Sequence, residues 1–182
     1  MILAFTGAGI SKESGIETFM DRPDVRDCLH REFAIKHPKK YCEVVAAMKK
    51  DIDDAKPNAA HIALAKANVD IITMNVDSLH EKAGSKRVLH LHGSLPTDEE
   101  LSYAHELYNK PVLYGDLAPN YSKAIQKVSQ LAENDIFLVI GASRYTQIAI
   151  QLRDIAYMNG AEIMEIQEDA SKTVPDFIER FV

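Results

Sequence analysis

The sequence predicts an α/β fold built on a doubly wound parallel sheet, and two observations predict it. Short apolar runs rich in β-branched residues alternate with helical patterns along most of the chain. The first run, Ile2–Phe5, leads directly into the glycine turn Gly7-Ala8-Gly9 and then into a helix start. This order is how α/β folds bring backbone amides to an anionic ligand, although the turn alone is equally compatible with a simple tight turn. Gly7 and Gly9 are expected to adopt conformations closed to other residues and to leave no Cβ beside a phosphate.

Six apolar runs are predicted to be strands. They are Ile2–Phe5, Val69–Met74, Val88–Leu91, Val112–Tyr114, Ile136–Ile140 and Glu162–Ile166. The intervening patterns predict helices at Pro38–Asp51, Asn58–Ala67, Asp98–Tyr108, Ser122–Glu133, Thr146–Met158 and Val174–Phe181. Asn58 suits the N-cap of its helix, and Gly160 suits the end of the helix before the last strand.

The chain is predicted to form one domain over residues 1–182, with an insertion at residues 20–56. The insertion is charged, contains two prolines and interrupts the alternation of strands and helices. A segment placed just after the glycine turn could close over a ligand. A helical hairpin that only packs on the sheet explains the pattern equally well.

Composition limits the classes of partner. A net charge of -6 argues against a broad nucleic-acid surface. The longest apolar run, around Ile136–Ile140, is too short to cross a bilayer, so no membrane association is expected. The chain enters its first strand at Ile2, and its two cysteines, Cys28 and Cys42, suit free thiols in a reducing compartment. We therefore expect a cytoplasmic protein.

Small or polar residues follow several of the predicted strands at their carboxyl ends, where ligands bind in such sheets. They are Asn75 and Asp77, His92 with Gly93, Gly141-Ala142-Ser143, and Gln167 with Glu168. Together they predict a crevice for an extended, anionic, polyhydroxylated ligand such as a dinucleotide. Singly they are less telling, since Asp77 suits a turn or a helix cap and His90 suits a structural role. A neutral imidazole at His92 could act as a general base.

Two other kinds of site are disfavoured. The chain has no C-x-x-C pair, and its only close histidine pair is His90-x-His92, so no metal site is predicted. It also has no G-x-S-x-G sequence, which argues against a serine hydrolase of the nucleophile-elbow type.

Six blocks spread over most of the chain carry a resemblance to a known family. They are Gly7-Ala8-Gly9-Ile10-Ser11 with Ser14-Gly15-Ile16 and Phe19; Pro57-Asn58-Ala59-Ala60-His61; Asn75-Val76-Asp77-Ser78-Leu79-His80; His92-Gly93-Ser94; Val112-Leu113-Tyr114-Gly115-Asp116; and Gly141-Ala142-Ser143. In this order the blocks resemble the sirtuins, the Sir2 family of NAD-dependent protein deacylases. The resemblance implies a Rossmann-like fold of the sirtuin type, with NAD lying across the carboxyl ends of the strands.

The resemblance also implies which residues bind NAD. The implied set is Gly7, Ala8, Gly9, Ile10, Ser11, Phe19, Asn75, Asp77, His92, Gly141, Ala142, Ser143 and Gln167. Within this set, the pyrophosphate is expected near Ala8, Gly9 and Ser143. The nicotinamide riboside is expected near Ile10, Asn75 and Asp77.

The implied reaction transfers an acyl group from a lysine of a protein or peptide to ADP-ribose. The acyl oxygen attacks C1′ of the nicotinamide ribose, nicotinamide leaves, and His92 then acts as general base on a ribose hydroxyl. Asn75 and Asp77 complete the implied catalytic set. The acylated peptide is expected to pair as an added strand along Val112, Leu113, Tyr114 and Gly115.

The chain departs from the family at four places. Residues 95–110 contain no cysteine, so the family's structural zinc lobe is predicted to be replaced by a short helical connection. Met20 stands where the family has arginine, Met74 where it has glutamine, and Gln167 where it has asparagine. These departures keep two alternatives open, an NAD glycohydrolase or ADP-ribosyltransferase, and a non-catalytic NAD-binding sensor.

Overall fold

A parallel sheet forms the centre of the computed structural model, which describes residues 1–17 and 21–181. The strands in this part of the chain are Ile2–Thr6 (β1), Asp70–Thr73 (β2), Val88–His90 (β3), Ile136–Ile140 (β4) and Glu162–Ile166 (β5). Their order is β3-β2-β1-β4-β5, and each neighbouring pair is parallel. The predicted doubly wound parallel sheet is therefore confirmed. Phe19 and Met20 lie outside the described residues.

Helices connect the strands. In the described residues they are Ala8–Lys12 (α1), Pro23–Arg26 (α2), Arg31–Lys36 (α3), Pro38–Asp53 (α4), Ala59–Lys66 (α5), Leu79–Lys82 (α6), Tyr121–Val128 (α7), Gln147–Met158 (α8) and Ala170–Phe181 (α9). The helix expected over Asp98–Tyr108 is a shorter 3-10 helix at Leu101–Glu106. Asn58 caps α5 as predicted, because its side chain accepts a hydrogen bond from the amide of Ala60 at 3.0 Å.

The apolar character of β4 reflects cover on both of its faces. Phe137 and Val139 pack into the layer that holds α7 and α8, whereas Leu138 packs into the layer that holds α5 and α9. All five residues of β4 are buried. A strand covered on both faces has no solvent-facing position, so its sequence reads as a continuous apolar run.

The segment between β1 and β2 contributes to a third apolar cluster, separate from the two on the faces of the sheet. Its buried residues come from the chain around α2, α3 and α4, from the 3-10 helix and from the segment that follows it. They are Val25, Leu29, Ala34, Tyr41, Val45, Met48, Ala104 and Leu113. The helices after β1 therefore pack against the connection that follows β3.

The prediction of a sheet strand at Val112–Tyr114 is wrong. Tyr114 makes only an isolated parallel bridge with His30. The reason is that successive amides of this segment bond to different parts of the molecule. The amide of Val112 donates to the carbonyl of His92 at 2.9 Å, and the amide of Tyr114 donates to that of Leu29 at 2.9 Å.

Two glycine turns meet at the centre of the sheet. Because β1 lies between β2 and β4, the turns that follow β1 and β4 are neighbours. The amide of Gly7 donates to the carbonyl of Ile140 at 3.0 Å, and that of Gly9 donates to the carbonyl of Gly141 at 2.9 Å. A Cβ on Gly9 would lie 2.5 Å from the Cα of Gly141. This is the switch point at which doubly wound sheets bind ligands.

The reason for glycine in the first turn differs from the expectation. Gly7 has an extended backbone with φ -125°, and Gly9 lies inside α1, so neither occupies a region closed to other residues. The space above both residues is instead filled by the second turn, because a Cβ on Gly7 would lie 2.6 Å from the carbonyl oxygen of Gly141. Glycine is required here by the close approach of two backbones.

Replacement of Gly9 by alanine tests this contact, because the contact reverses the sign of the change in stability that alanine ordinarily causes in a helix. Alanine inside a helix ordinarily stabilises a protein by about 0.5–1 kcal/mol relative to glycine. Here the added methyl group meets the backbone of Gly141, so we expect Gly9→Ala to lower the free energy of unfolding by about 1–3 kcal/mol. Urea unfolding measures the difference, and an increase in stability would contradict the packing described.

Candidate active site

A buried polar network joins the turn after β1 to the loop after β2. The hydroxyl of Ser11 donates to Oδ2 of Asp77 at 2.9 Å. The side-chain amide of Asn75 donates to Oγ of Ser11 at 3.2 Å and to the carbonyl of Gly7 at 3.1 Å. All three side chains are buried. Residues that the sequence placed in separate motifs therefore form one hydrogen-bonded unit.

Asp77 accepts a hydrogen bond with each of its carboxylate oxygens. Its Oδ1 accepts a hydrogen bond from the amide of Leu79 at 3.0 Å, the turn that its sequence context favours. Its Oδ2 accepts from Ser11. Burial raises the pKa of the Asp77 carboxyl, while the bonds from Leu79 and Ser11 oppose that rise. The turn expected at Asp77 is thus compatible with its hydrogen bond to Ser11.

His90 lies between two hydrogen-bond acceptors. Its Nδ1 lies 2.9 Å from the carbonyl oxygen of Asn75, and its Nε2 lies 2.7 Å from a carboxylate oxygen of Glu81. A carbonyl and a carboxylate only accept, so these partners favour the ring with a proton on both nitrogens. Burial lowers the pKa of His90, but the bonds to Glu81 and to the Asn75 carbonyl outweigh burial and raise it overall. This partnership agrees with the structural role expected for His90.

The partners of His92 differ from those of His90, and its pKa shifts in the opposite direction. Its Nδ1 lies 3.0 Å from the carbonyl oxygen of Met74, so this nitrogen carries the proton. Its Nε2 lies 3.0 Å from the hydroxyl of Tyr121, which can donate to it. Burial lowers the pKa of His92, only partly offset by the Met74 carbonyl. The ring is therefore neutral at physiological pH, with its basic lone pair on Nε2.

The remaining predicted residues line the neighbouring strand ends. Ala142 is buried after β4, and its carbonyl accepts a hydrogen bond from the side-chain amide of Gln167 at 3.2 Å. Ser143 is exposed, and its hydroxyl accepts from the amide of Tyr145 at 3.1 Å. Ile10 is fully buried in the layer formed with α5 and α9. Ala142, Ser143 and Gln167 thus follow the ends of β4 and β5, whereas Ile10 lies inside the apolar layer.

The segment predicted to bind substrate is held by an arginine that sequence reasoning missed. Nε and Nη2 of Arg31 each donate to the carboxylate of Asp116 at 2.7 Å. The same guanidinium donates to the carbonyls of His105 and Leu107, and it lies 4.0 Å from the ring centroid of Tyr108. No local pattern could have revealed this pair, because its members are 85 residues apart.

Tyr121 is the second residue that the sequence did not reveal. It is the first residue of α7, and its hydroxyl reaches His92. Asn120, immediately before it, donates from its side-chain amide to the carbonyl of His90 at 2.8 Å. Two successive residues at the start of α7 thus contact both histidines of the β3 end.

A second group of buried polar side chains lies on β1, β2, α5 and α6. The hydroxyl of Thr6 on β1 donates to Oγ1 of Thr73 on β2 at 2.8 Å and lies 3.0 Å from Nε2 of His80. The ring centroids of His80 and His61 are 4.9 Å apart. Burial lowers the pKa of His61 to about 4 and that of His80 to about 3. Both rings are therefore neutral in the folded protein at neutral pH.

Two searches of the described residues concern other kinds of site. Within residues 1–17 and 21–181, no three His, Cys, Asp or Glu side chains are grouped so that they could hold a metal ion. No helix of the same residues combines the length and the apolar character needed to span a membrane.

Sequence comparisons match most of the chain to known proteins. Residues 7–110 match the sequence model of the Sir2 family. An NAD-dependent protein deacylase of Trypanosoma brucei brucei is 31% identical over a gapped alignment of 214 positions, which covers 97% of this chain and 86% of that protein. An NAD-dependent protein deacylase of Archaeoglobus fulgidus is 30% identical over a gapped alignment of 208 positions, which covers 96% of this chain and 84% of that protein.

Solved structures are similar over nearly the whole chain. A Sir2 homologue in complex with NAD has a TM-score of 0.83 at 28% identity, covering 99% of this chain and 88% of its own. A Sir2 structure with an inhibitor, 2′-O-acetyl-ADP-ribose and a deacetylated p53 peptide has a TM-score of 0.81 at 25% identity. That comparison covers 99% of this chain and 93% of the other.

The buried histidines predict a loss of stability in mild acid. Below the ordinary value of 6.5, an unfolded chain protonates His61 and His80, whereas the folded protein does not. The contribution of these two histidines to the free energy of unfolding is fully present above pH 6.5 and is lost as pH falls toward 4. We expect the free energy of unfolding to fall by about 1 kcal/mol per histidine per pH unit in this range. Urea unfolding at pH 7 and pH 5 measures the loss.

A matched control for this pH dependence is His37→Gln, because His37 is exposed. The variant should show the same fall in stability as the unchanged protein. A free energy of unfolding that stays constant between pH 7 and pH 5 would contradict neutral, buried rings at His61 and His80.

Removal of the Arg31 guanidinium should destabilise the protein strongly. The side chain of Asp116 is 2% exposed, so Arg31→Met leaves a buried carboxylate without its cation. We expect a loss of about 3–5 kcal/mol in the free energy of unfolding. Arg26→Met is the matched control, because Arg26 and Asp27 form an exposed ion pair, whose loss should cost at most about 1 kcal/mol. Equal losses in the two variants would refute the role given to Arg31.

Proposed function

The chain belongs to the Sir2 family, and we propose that it acts as an NAD-dependent protein deacylase that removes acyl groups from lysine side chains of proteins or peptides. The observation that carries this proposal is the geometry of His92 beside the Ser11–Asn75–Asp77 network. A neutral imidazole with its lone pair on Nε2 is suited to take a proton from a ribose hydroxyl. The network beside it is buried, hydrogen-bonded and therefore preorganised.

The donor set at the switch point supports NAD as the cosubstrate. The amides of Gly7 and Gly9 are used between the two turns, whereas the amide of Ala8 has no partner among the described residues. It is a suitable donor to the pyrophosphate, together with the Gly141-Ala142-Ser143 turn. When bound, NAD supplies an electrophilic ribose carbon and nicotinamide as a leaving group. The chain's own residues then have to orient the ribose and accept its proton.

We assign those tasks to three residues. Asn75 and Asp77 orient the nicotinamide ribose from the loop after β2, where they are held by Ser11. His92 receives the hydroxyl proton on Nε2, while its Nδ1 remains bonded to the Met74 carbonyl. Correct orientation contributes to catalysis because it removes the entropic cost of aligning the reacting groups. These assignments extend to Phe19 and Gln167, which we propose on the family resemblance as further contacts to NAD.

The acylated peptide is proposed to bind along residues 112–115. The carbonyl of Val112 and the backbone of Gly115 have no partner among the described residues, so they are suited to pair with an extended chain. Tyr114 presents an exposed ring, 57% accessible, that stacks on His30 with 4.8 Å between ring centroids. The Arg31–Asp116 pair keeps this segment in place.

We propose that the protein works in the cytoplasm on protein substrates and without nucleic-acid partners. Cys28 and Cys42 are free thiols, as a reducing compartment favours. The net charge of -6 is unfavourable for binding to a phosphate backbone.

The function is tested by incubating the protein with NAD in the presence and absence of an acetyl-lysine peptide. We expect nicotinamide release that depends on the peptide, together with deacetylated peptide, both followed by mass spectrometry. Release that is equal without the peptide would instead indicate a glycohydrolase. Binding of NAD without any release would indicate a sensor, and either result would overturn the deacylase proposal.

Replacement of His92 tests the assigned base. We expect His92→Ala to lower acyl transfer by about 100- to 10,000-fold, because proton transfer by a positioned group contributes on this scale. Binding of NAD, measured by calorimetry, should remain largely intact, since the variant keeps the glycine turns. His37→Ala, on the exposed surface, is the control and should keep full activity. Full deacylation by His92→Ala would refute the assignment.

A further inference from the structure

Tyr121 contacts the proposed base at the atom through which that base would act. Its hydroxyl lies 3.0 Å from Nε2 of His92, with 6.0 Å between the two ring centroids. The ring is half-buried against the apolar layer that holds α7. Because Asn120 binds the carbonyl of His90, the start of α7 is fixed to the β3 end by two contacts from adjacent residues.

The direction of this hydrogen bond follows from the other partners. Nδ1 of His92 donates to the carbonyl of Met74, so Nε2 of the neutral ring can only accept. The phenol therefore donates a hydrogen bond to Nε2. Burial, and to a lesser extent the neighbouring Tyr114, raises the pKa of the Tyr121 hydroxyl, so the donor keeps its proton at neutral pH.

We propose that Tyr121 is a positioning residue for His92, holding the imidazole aimed until a ribose hydroxyl replaces the phenol at Nε2. This role rests on the proposed function of His92 as the base. The phenol donates to Nε2 of the neutral ring and can accept from Nε2 of the protonated ring, so the contact orients the imidazole in both states. The Tyr121 ring also supplies a surface against which the imidazole is oriented.

The surroundings of His92 make a pH readout selective for this contact. From the β2 end it faces the Met74 carbonyl, and from α7 it faces Tyr121, beyond which lies Tyr114. On the preceding strand β3, His90 lies 2.7 Å from Glu81. The Met74 carbonyl and the His90–Glu81 pair do not contact the Tyr121 hydroxyl in the described residues. Loss of the phenol hydroxyl should therefore change the pKa of His92, because the hydroxyl bonds differently to the neutral and the protonated ring.

The first experiment measures this pKa in the free protein without NAD. The ring proton of His92 is followed by NMR between pH 4 and pH 8 and identified by its absence in His92→Gln. We expect Tyr121→Phe, which keeps the packed ring, to change the pKa of His92 by about 0.5–1 unit. Tyr157→Phe removes an exposed phenol from α8 and should leave the pKa unchanged.

The second experiment follows peptide deacylation against pH. In Tyr121→Phe the acidic limb should move by the same amount and in the same direction as this pKa, which changes the rate at pH values well below the pKa of His92 by about 3- to 10-fold. Identical His92 titrations in the unchanged protein and Tyr121→Phe would overturn the positioning role, even if both deacylate. Absence of peptide-dependent turnover in the unchanged protein would overturn the proposed function instead, while the titration would still decide the contact between Tyr121 and His92.

Discussion

The approach of two backbone turns at the centre of the sheet is the constraint on which the site depends. β1 lies between β2 and β4, so the turns that follow β1 and β4 emerge side by side. They are close enough for the amide of Gly9 to bond to the carbonyl of Gly141, and side chains are excluded between them. This contact uses up two amides and leaves that of Ala8 available. The strand order thus determines where the two turns meet and which of their amides stays available for the proposed contact with NAD.

The same strand order brings the loop after β2 against the first turn. Asn75 binds the carbonyl of Gly7 and the hydroxyl of Ser11, which in turn binds Asp77. Each of these side chains is buried and takes part in at least one hydrogen bond of the network, which restricts its rotamers. Under the proposed function, a bound ribose would meet groups that are already oriented.

The pKa values of two histidines only two residues apart shift in opposite directions because their partners differ. His90 lies between a carbonyl and the Glu81 carboxylate, which favour its protonated form, whereas His92 lies between a carbonyl and a phenol and its pKa is lowered. The distinction does not come from burial, which disfavours the cation at both positions. It comes from the partner of Nε2, and that partner is supplied by α6 for His90 and by α7 for His92.

The sequence by itself determined the parallel sheet, because the apolar runs and the glycine turns are local patterns with a known spacing. It also identified most of the strand-end residues, since their position after a strand is enough to direct them to one edge. Its error at Val112–Tyr114 arose because an apolar run looks the same whether its amides pair with a strand or with scattered acceptors. Only the tertiary structure supplied Arg31 and Tyr121. Arg31 pairs with Asp116, 85 residues away, and Tyr121 contacts His92, 29 residues away. Because these separations are long, no local sequence pattern predicts either contact.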